Sequence, residues 1–196
     1  PYGEVKNTYD FIAHDLRQGV VIIDMSILCQ TSLDWAKKYL PKEAHVVCAK
    51  PIVNSKYVFN GVDKTEEAVA DLFDNGTVLL MPSVTCIPEA ISLATDLTKI
   101  LGASPHFLDP AEHDGLTTAT EILPDLLGSV YFYMLSQSPG WSDMQRVGNP
   151  AFGMLSHPLF DTHPDDLRDE ILNSSDNLVR YLDQMINQLR VFRGVL

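Results

Sequence analysis

The sequence predicts an α/β domain followed by an all-helical one, a partial Rossmann-like parallel sheet and then a helical dimerisation domain with a long C-terminal helix. Three observations predict it. Short β-branched runs alternate with helix-like segments through the first half, strand signals stop after Leu108, and long stretches of helical periodicity follow. Alternation of strand and helix argues for a parallel sheet with crossover helices. The boundary falls between 1–108 and 109–196.

Val20-Val21-Ile22-Ile23-Asp24, opened by Gly19, suits a strand buried on both faces. Similar runs stand at His45-Val46-Val47-Cys48, Thr77-Val78-Leu79-Leu80-Met81 and His106-Phe107-Leu108. Helices are predicted between them over 8–18, 31–40, 64–73 and 86–101, the third opened by a capping box of Asp63 and Glu66. Asp109-Pro110-Ala111-Glu112 joins an N-cap, a proline at the first helical position and a glutamate three residues past the cap, so a long helix starts there. It is expected to reach Ser136, bent by Pro124. The final helix is expected from Thr162-His163-Pro164 to the C-terminus, with Asn173-Ser174-Ser175 as its weakest point. Some thirty helical residues extend roughly 45 Å, more than a lone small domain covers. A homodimer built on the helical half is the expected cover.

Composition narrows the class. The chain has 196 residues and a net charge of −12, which argues against a nucleic-acid-binding surface. The deficit is uneven: 1–103 hold 9 basic and 13 acidic residues, 104–196 hold 5 and 13, and those five are all arginines. Arginine suits bidentate carboxylate contacts. No run of apolar residues is long enough for a membrane span, and no basic-then-apolar leader opens the chain. Cys29, Cys48 and Cys86 form no CxxC pair, so reduced, buried thiols in a cytoplasmic protein are expected. Pro1-Tyr2-Gly3-Glu4-Val5 reads like the middle of something larger.

None of the 11 glycines falls into GxGxxG or a Walker pattern. His113 lies between Glu112 and Asp114, but consecutive helical residues cannot converge on one ion, so no metal is assigned. His157 and His163 read as solvated loop histidines. Ser156, His157 and Asp161 supply triad residue types without a GxSxG elbow. Tyr131-Phe132-Tyr133 reads as helix packing or dimer core.

The chain resembles the prephenate and arogenate dehydrogenases of tyrosine biosynthesis. In that family a strand ending in proline, here Pro1, precedes a helix and a strand closing with an Asp-x-x-Ser element, set here against Ile23-Asp24-Met25-Ser26. The family's His-Pro motif corresponds to Lys50-Pro51 in Val47-Cys48-Ala49-Lys50-Pro51. Gly102-Ala103, Glu112-His113-Asp114, Leu123-Pro124 and the segment Trp141 to Asn149 with Arg146 complete the likeness. The family's catalytic histidine is replaced by Lys50, and in its Ser-His-Leu-Pro-His element Glu121, Ile122 and Asp125 replace the serine and both histidines.

What the resemblance implies is a homodimeric, NAD- or NADP-dependent oxidative decarboxylation of a small anionic cyclohexadienol, by a parent carrying about 80 further residues with the glycine loop. Ser26 and Lys50 are then the catalytic candidates, Arg146 and His113 the substrate-binding ones, and Pro1 and Ser26 the cofactor-binding ones. Lys50 acts either as a base of lowered pKa or as a fixed cation. Alone, this chain is expected neither to turn over nor to bind NAD(P) tightly. The alternatives are a non-catalytic dimerising or ligand-sensing relative, and a hydroxyacid-type dehydrogenase that uses a lysine.

Overall fold

The computed structural model describes residues 2–58 and 68–196. It divides into two compact units, Glu4–His113 and Asp114–Leu196, the latter joined by the first residues of the chain.

In the first unit, α1 (Val5–Ile12) precedes β1 (Val21–Asp24), α2 (Cys29–Tyr39), β2 (His45–Ile52), β3 (Thr77–Pro82), α3 (Pro88–Ile100) and β4 (Ser104–Phe107). The four strands lie in the order β1-β2-β3-β4. β1 and β2 are parallel, β3 and β4 are parallel, and the central β2–β3 pair is antiparallel, with Lys50 opposite Leu79. The sheet is therefore mixed, where alternation alone suggested a wholly parallel one. The link from β2 to β3 is where the two readings part. Of the helix expected over 64–73, residues 68 and 69 are irregular and 70–73 are turn, while Asp63 and Glu66 lie outside the described residues. A parallel neighbour needs a crossover connection, whereas an antiparallel one does not.

Val47, Ala49, Val78 and Leu80 form the sheet's share of one core cluster with Ala94 and Ala103. The small Ala90 and Ala94 let α3 sit close on the strands, both being fully buried. Tyr9, Ala36, Leu40 and Val46 build a second cluster beneath α1 and α2. Cys29 and Cys48 are buried and not in disulfides, and half-buried Cys86 donates its S–H to the Val46 carbonyl. Gly102, at φ +74°, has Asp74 where a Cβ would stand, so the turn into β4 requires glycine.

In the helical part, α4 (Pro110–Thr117) begins as expected at Asp109, whose Oδ1 accepts from the N–H groups of Ala111 and Glu112. A π-helical turn (Thr118–Ile122) follows and leads into α5 (Leu123–Ser136). Pro124 lacks the N–H that an unbroken α-helix would use at this point, so the chain widens there instead of merely bending. Next come α6 (Trp141–Arg146), α7 (Pro150–Ser156), α8 (Pro158–Asp161), α9 (Pro164–Asn173) and α10 (Ser175–Val195). The single final helix expected from the periodicity is thus two helices. The Ser174 N–H is shared between the Glu170 and Ile171 carbonyls and its hydroxyl also donates to Glu170, closing α9. The 21 residues of α10 extend about 32 Å. Phe132 meets Trp141 edge-on at 5.2 Å, and Phe152 packs against both and against Tyr131. The aromatic run thus packs largely within its own unit.

Candidate functional site

The end of β1 carries a buried carboxylate inside an otherwise apolar run. Asp24 Oδ1 accepts from the Ser26 N–H at 2.8 Å and the Ser26 hydroxyl at 2.5 Å. Its Oδ2 accepts from the Tyr9 hydroxyl at 2.7 Å and from the Ser32 hydroxyl, with Cys48 Sγ 3.9 Å away. Tyr9 and Ser32 also meet each other at 3.1 Å. A buried carboxylate without such partners would cost several kcal/mol. Here α1, β1 and α2 each contribute a partner, so the network fixes the β1–α2 turn. Burial, and next the Asp24 charge, hold the Tyr9 phenol far above its usual pKa. It therefore stays a donor.

Ser26 stands at the mouth of this network, two residues after Asp24 and not the three of the family element. Its proton is directed to Asp24, which leaves its lone pairs to accept. Lys50 lies two residues past Cys48, the residue that pairs with Asp24. Both Ser26 and Lys50 thus lie two residues beyond the same rung of the ladder. Alternation puts Cys48 and Lys50 on one face of β2. Lys50 is half-buried, and it is not the last residue of its strand, since β2 continues to Ile52. β1 has already ended, so the lysine stands past the end of its parallel neighbour. Crevices at the carboxyl ends of parallel strands are where ligands bind in open α/β sheets.

His113 is fully buried on α4, with its N–H bonded to the Asp109 carbonyl. Arg146 closes α6, its side chain 80% exposed and 3.5 Å from Asp143. Pro1 lies outside the described residues. Among the described residues no group of three or more His, Cys, Asp or Glu side chains is arranged to hold a metal ion.

The pyrophosphate of a dinucleotide needs a strand-to-helix turn that lets backbone approach closely. The turns here, Met25 to Leu28 after β1 and Ser83 to Ile87 after β3, contain no glycine, and neither α2 nor α3 has a side-chain N-cap. These residues do not fit a pyrophosphate cradle.

Two buried groups, one in each unit, carry no motif in the sequence. In the α/β unit Asp24 and Tyr9 form the buried anchor at the end of β1, and the signal for it is an acid ending an apolar strand. In the helical unit Glu170 is buried on α9; burial, then Asp125, Asp166 and Glu121, push its carboxyl up to about 7. An open groove of about 590 Å³ in the same unit is lined by Leu123, Tyr181 and one face of α10. No helix of the described residues is long and apolar enough to cross a membrane.

No family model matches the chain. Over 186 residues it is 24% identical to the prephenate dehydrogenase of Bacillus subtilis (strain 168), covering 93% of this chain and 48% of that protein. It therefore spans about half the length of the curated relative that it matches. The prephenate dehydrogenase of A. aeolicus, crystallised with hydroxyphenyl propionate and NAD+, superposes with a TM-score of 0.81 at 16% identity, over 100% of this chain and 66% of that one. The Synechocystis arogenate dehydrogenase gives a TM-score of 0.75 at 15% identity, over 100% of this chain and 68% of that one. The chain resembles the prephenate and arogenate dehydrogenase family in sequence and shares its fold.

Proposed function

We propose that this chain is part of an NAD(P)-dependent oxidoreductase of the prephenate/arogenate dehydrogenase type, which oxidatively decarboxylates a cyclohexadienol carboxylate to a phenol in tyrosine biosynthesis. The observation that carries the reading is the likeness to prephenate dehydrogenase over 93% of the chain. In the α/β unit, Ser26 accepts a hydrogen bond from the ligand and Lys50 supplies a fixed positive charge beside it. In the helical unit, Arg146 serves as a carboxylate contact, and Asp143 is its resting partner. The pyrophosphate is held by residues of a longer protein, in keeping with the span of its relatives.

The helical unit is proposed to form a homodimer. Ile186, Leu189 and Phe192 recur along α10 with exposed side chains, and a second copy would cover them. A cytoplasmic location belongs to the same reading. Lys50 in place of the family histidine favours, as a second reading, a non-catalytic ligand-sensing relative.

The test compares this chain with the longer protein. Calorimetry should show no micromolar NAD(P) binding by residues 1–196 alone, while the longer protein should bind the cofactor and oxidise prephenate or arogenate. Micromolar binding by this chain would overturn the division of labour; a cofactor-competent but inactive longer protein would favour the second reading.

A further inference from the structure

We propose that Asp24 is the proton acceptor of the ligand site, reached only through Ser26: a ligand hydroxyl gives its proton to Ser26 Oγ as Ser26 gives its own to Asp24 Oδ1. The inference rests on the dehydrogenase reading, in which a carbinol carbon is oxidised and the proton on its oxygen must be taken up. Lys50, which that reading places beside the ligand, has three donors while charged and no lone pair to offer. Ser26 has lone pairs, but it can take up a second proton only by passing on the first.

The geometry supplies the next step. The Ser26 hydroxyl stands 2.5 Å from Asp24 Oδ1, the short distance of a charge-assisted O–H···O⁻ bond, across which a proton needs little travel. Asp24 is nine-tenths buried, so a ligand meets it through the serine. Its other oxygen accepts from Tyr9 at 2.7 Å and from Ser32. Burial and the Asp24 charge hold the Tyr9 phenol far above its usual pKa, so Tyr9 keeps its proton and leaves the carboxylate able to take one from the other side. The Ser26 N–H, 2.8 Å from Oδ1, holds that oxygen towards the serine.

Protons and charge balance. Two O–H bonds break, at the ligand and at Ser26, and two form, at Ser26 and at Asp24. The negative charge passes from Asp24 to the ligand oxygen, whose freed electron pair becomes the second bond of the carbonyl as the carbon is oxidised. When CO₂ leaves, the electrons of the broken C–C bond turn that carbonyl into a phenolate, which takes the proton back along the same two hydrogen bonds. Asp24 is an anion again at the end of each turnover.

The test uses the longer protein with prephenate and arogenate. Asp24→Asn separates proton uptake from positioning. The Ser26 N–H can only donate, so the new amide must turn its oxygen to Ser26 and its NH₂ to Tyr9 and Ser32, whose hydroxyl oxygens accept; the serine stays aimed inward and only the capacity for a proton is lost. In Asp24→Asn kcat should fall about 100-fold with KM within about threefold, Ser26→Ala should lose as much, and the double variant should be no worse than either. In mixtures of H₂O and D₂O the single-turnover rate of the unmodified protein should curve below a straight line, because two protons move together, and the curvature should vanish in Ser26→Ala. An Asp24→Asn rate within about threefold of the unmodified protein, losses that multiply in the double variant, or a linear solvent dependence would overturn the proposal and leave the dehydrogenase reading standing. Should Asp24→Asn lack native circular dichroism, Ser26→Ala and the solvent dependence decide. An unmodified longer protein that oxidises neither substrate would overturn both.

Discussion

Ser26 is tied twice to Asp24, through its backbone N–H at 2.8 Å and its hydroxyl at 2.5 Å, both to the same carboxylate oxygen. The turn after β1 is thereby set by a buried anion, and the serine meets a ligand with its lone pairs. Tyr9 and Ser32 hold the other oxygen. Removing one of these donors leaves part of a buried charge without a partner.

Tyr9→Phe should therefore lower unfolding stability at pH 7 by about 2 kcal/mol, the scale of a hydrogen bond to a charged group. Urea unfolding of the variant beside the parent chain measures it. A change within experimental error would mean that the Tyr9–Asp24 bond contributes nothing net.

Lys50 separates two chemistries. If it acts as a fixed charge, replacing it by Lys50→Ala in the proposed longer dehydrogenase should cut kcat/KM about 100-fold, or about 2.7 kcal/mol, while Lys50→Arg should keep activity within about tenfold. An arginine variant as poor as the alanine one would instead assign proton transfer to Lys50, since guanidinium does not deprotonate.

The Glu170 carboxyl gives the helical unit a pH dependence with a definite sign. Its folded value is raised from 4.5 to about 7, so the folded state holds a proton that the unfolded chain has released. Stability should be greatest below pH 4.5 on this group's account and fall as pH rises through 7, by up to about 3 kcal/mol. Thermal melts at pH 5.5 and 8 should differ in that direction, and Glu170→Gln should flatten the difference.

Two glycines make a matched pair. A Cβ on Gly128 would stand 2.4 Å from the Leu155 carbonyl oxygen, where α5 and α7 meet, whereas one on Gly153 meets nothing within 4 Å. Gly128→Ala should destabilise by about 1–3 kcal/mol. Gly153→Ala should be neutral or stabilise by up to about 1 kcal/mol, because the residue lies in a helix. Equal effects in denaturant unfolding would contradict the close approach.

Much of this fold was legible. The four strands, α2, α3 and the Asp109 cap lie within a few residues of where their patterns place them, since β-branched runs and capping residues act locally. Strand direction was not legible: β2 is buried on both faces over most of its length, and such a strand has the same composition whichever way its neighbour runs. The final helix was overextended because its apolar spacing continues across Ser174, and periodicity does not see a serine whose N–H and hydroxyl both turn back on the preceding turn. Of the site, Ser26 and Lys50 were found as residues with something in common only through the resemblance. The register that puts them two steps past one rung depends on pairing between distant segments. Glu170 looked like one more acid in a charged helix, because burial comes from the partner helix and leaves no mark in the sequence.

The π turn at Thr118–Ile122 changes how this chain must be lined up with others. One extra residue per turn rotates everything after it by about 100° relative to an unbroken α-helix. A helical wheel drawn across 110–136 therefore assigns the wrong faces to one side or the other. Deleting a single residue within the turn would swing the α5 side chains, Asp125 and Gly128 among them, about a quarter of the way round while leaving the helix intact. In this segment a one-residue gap in an alignment is a change of face, and it outweighs most substitutions.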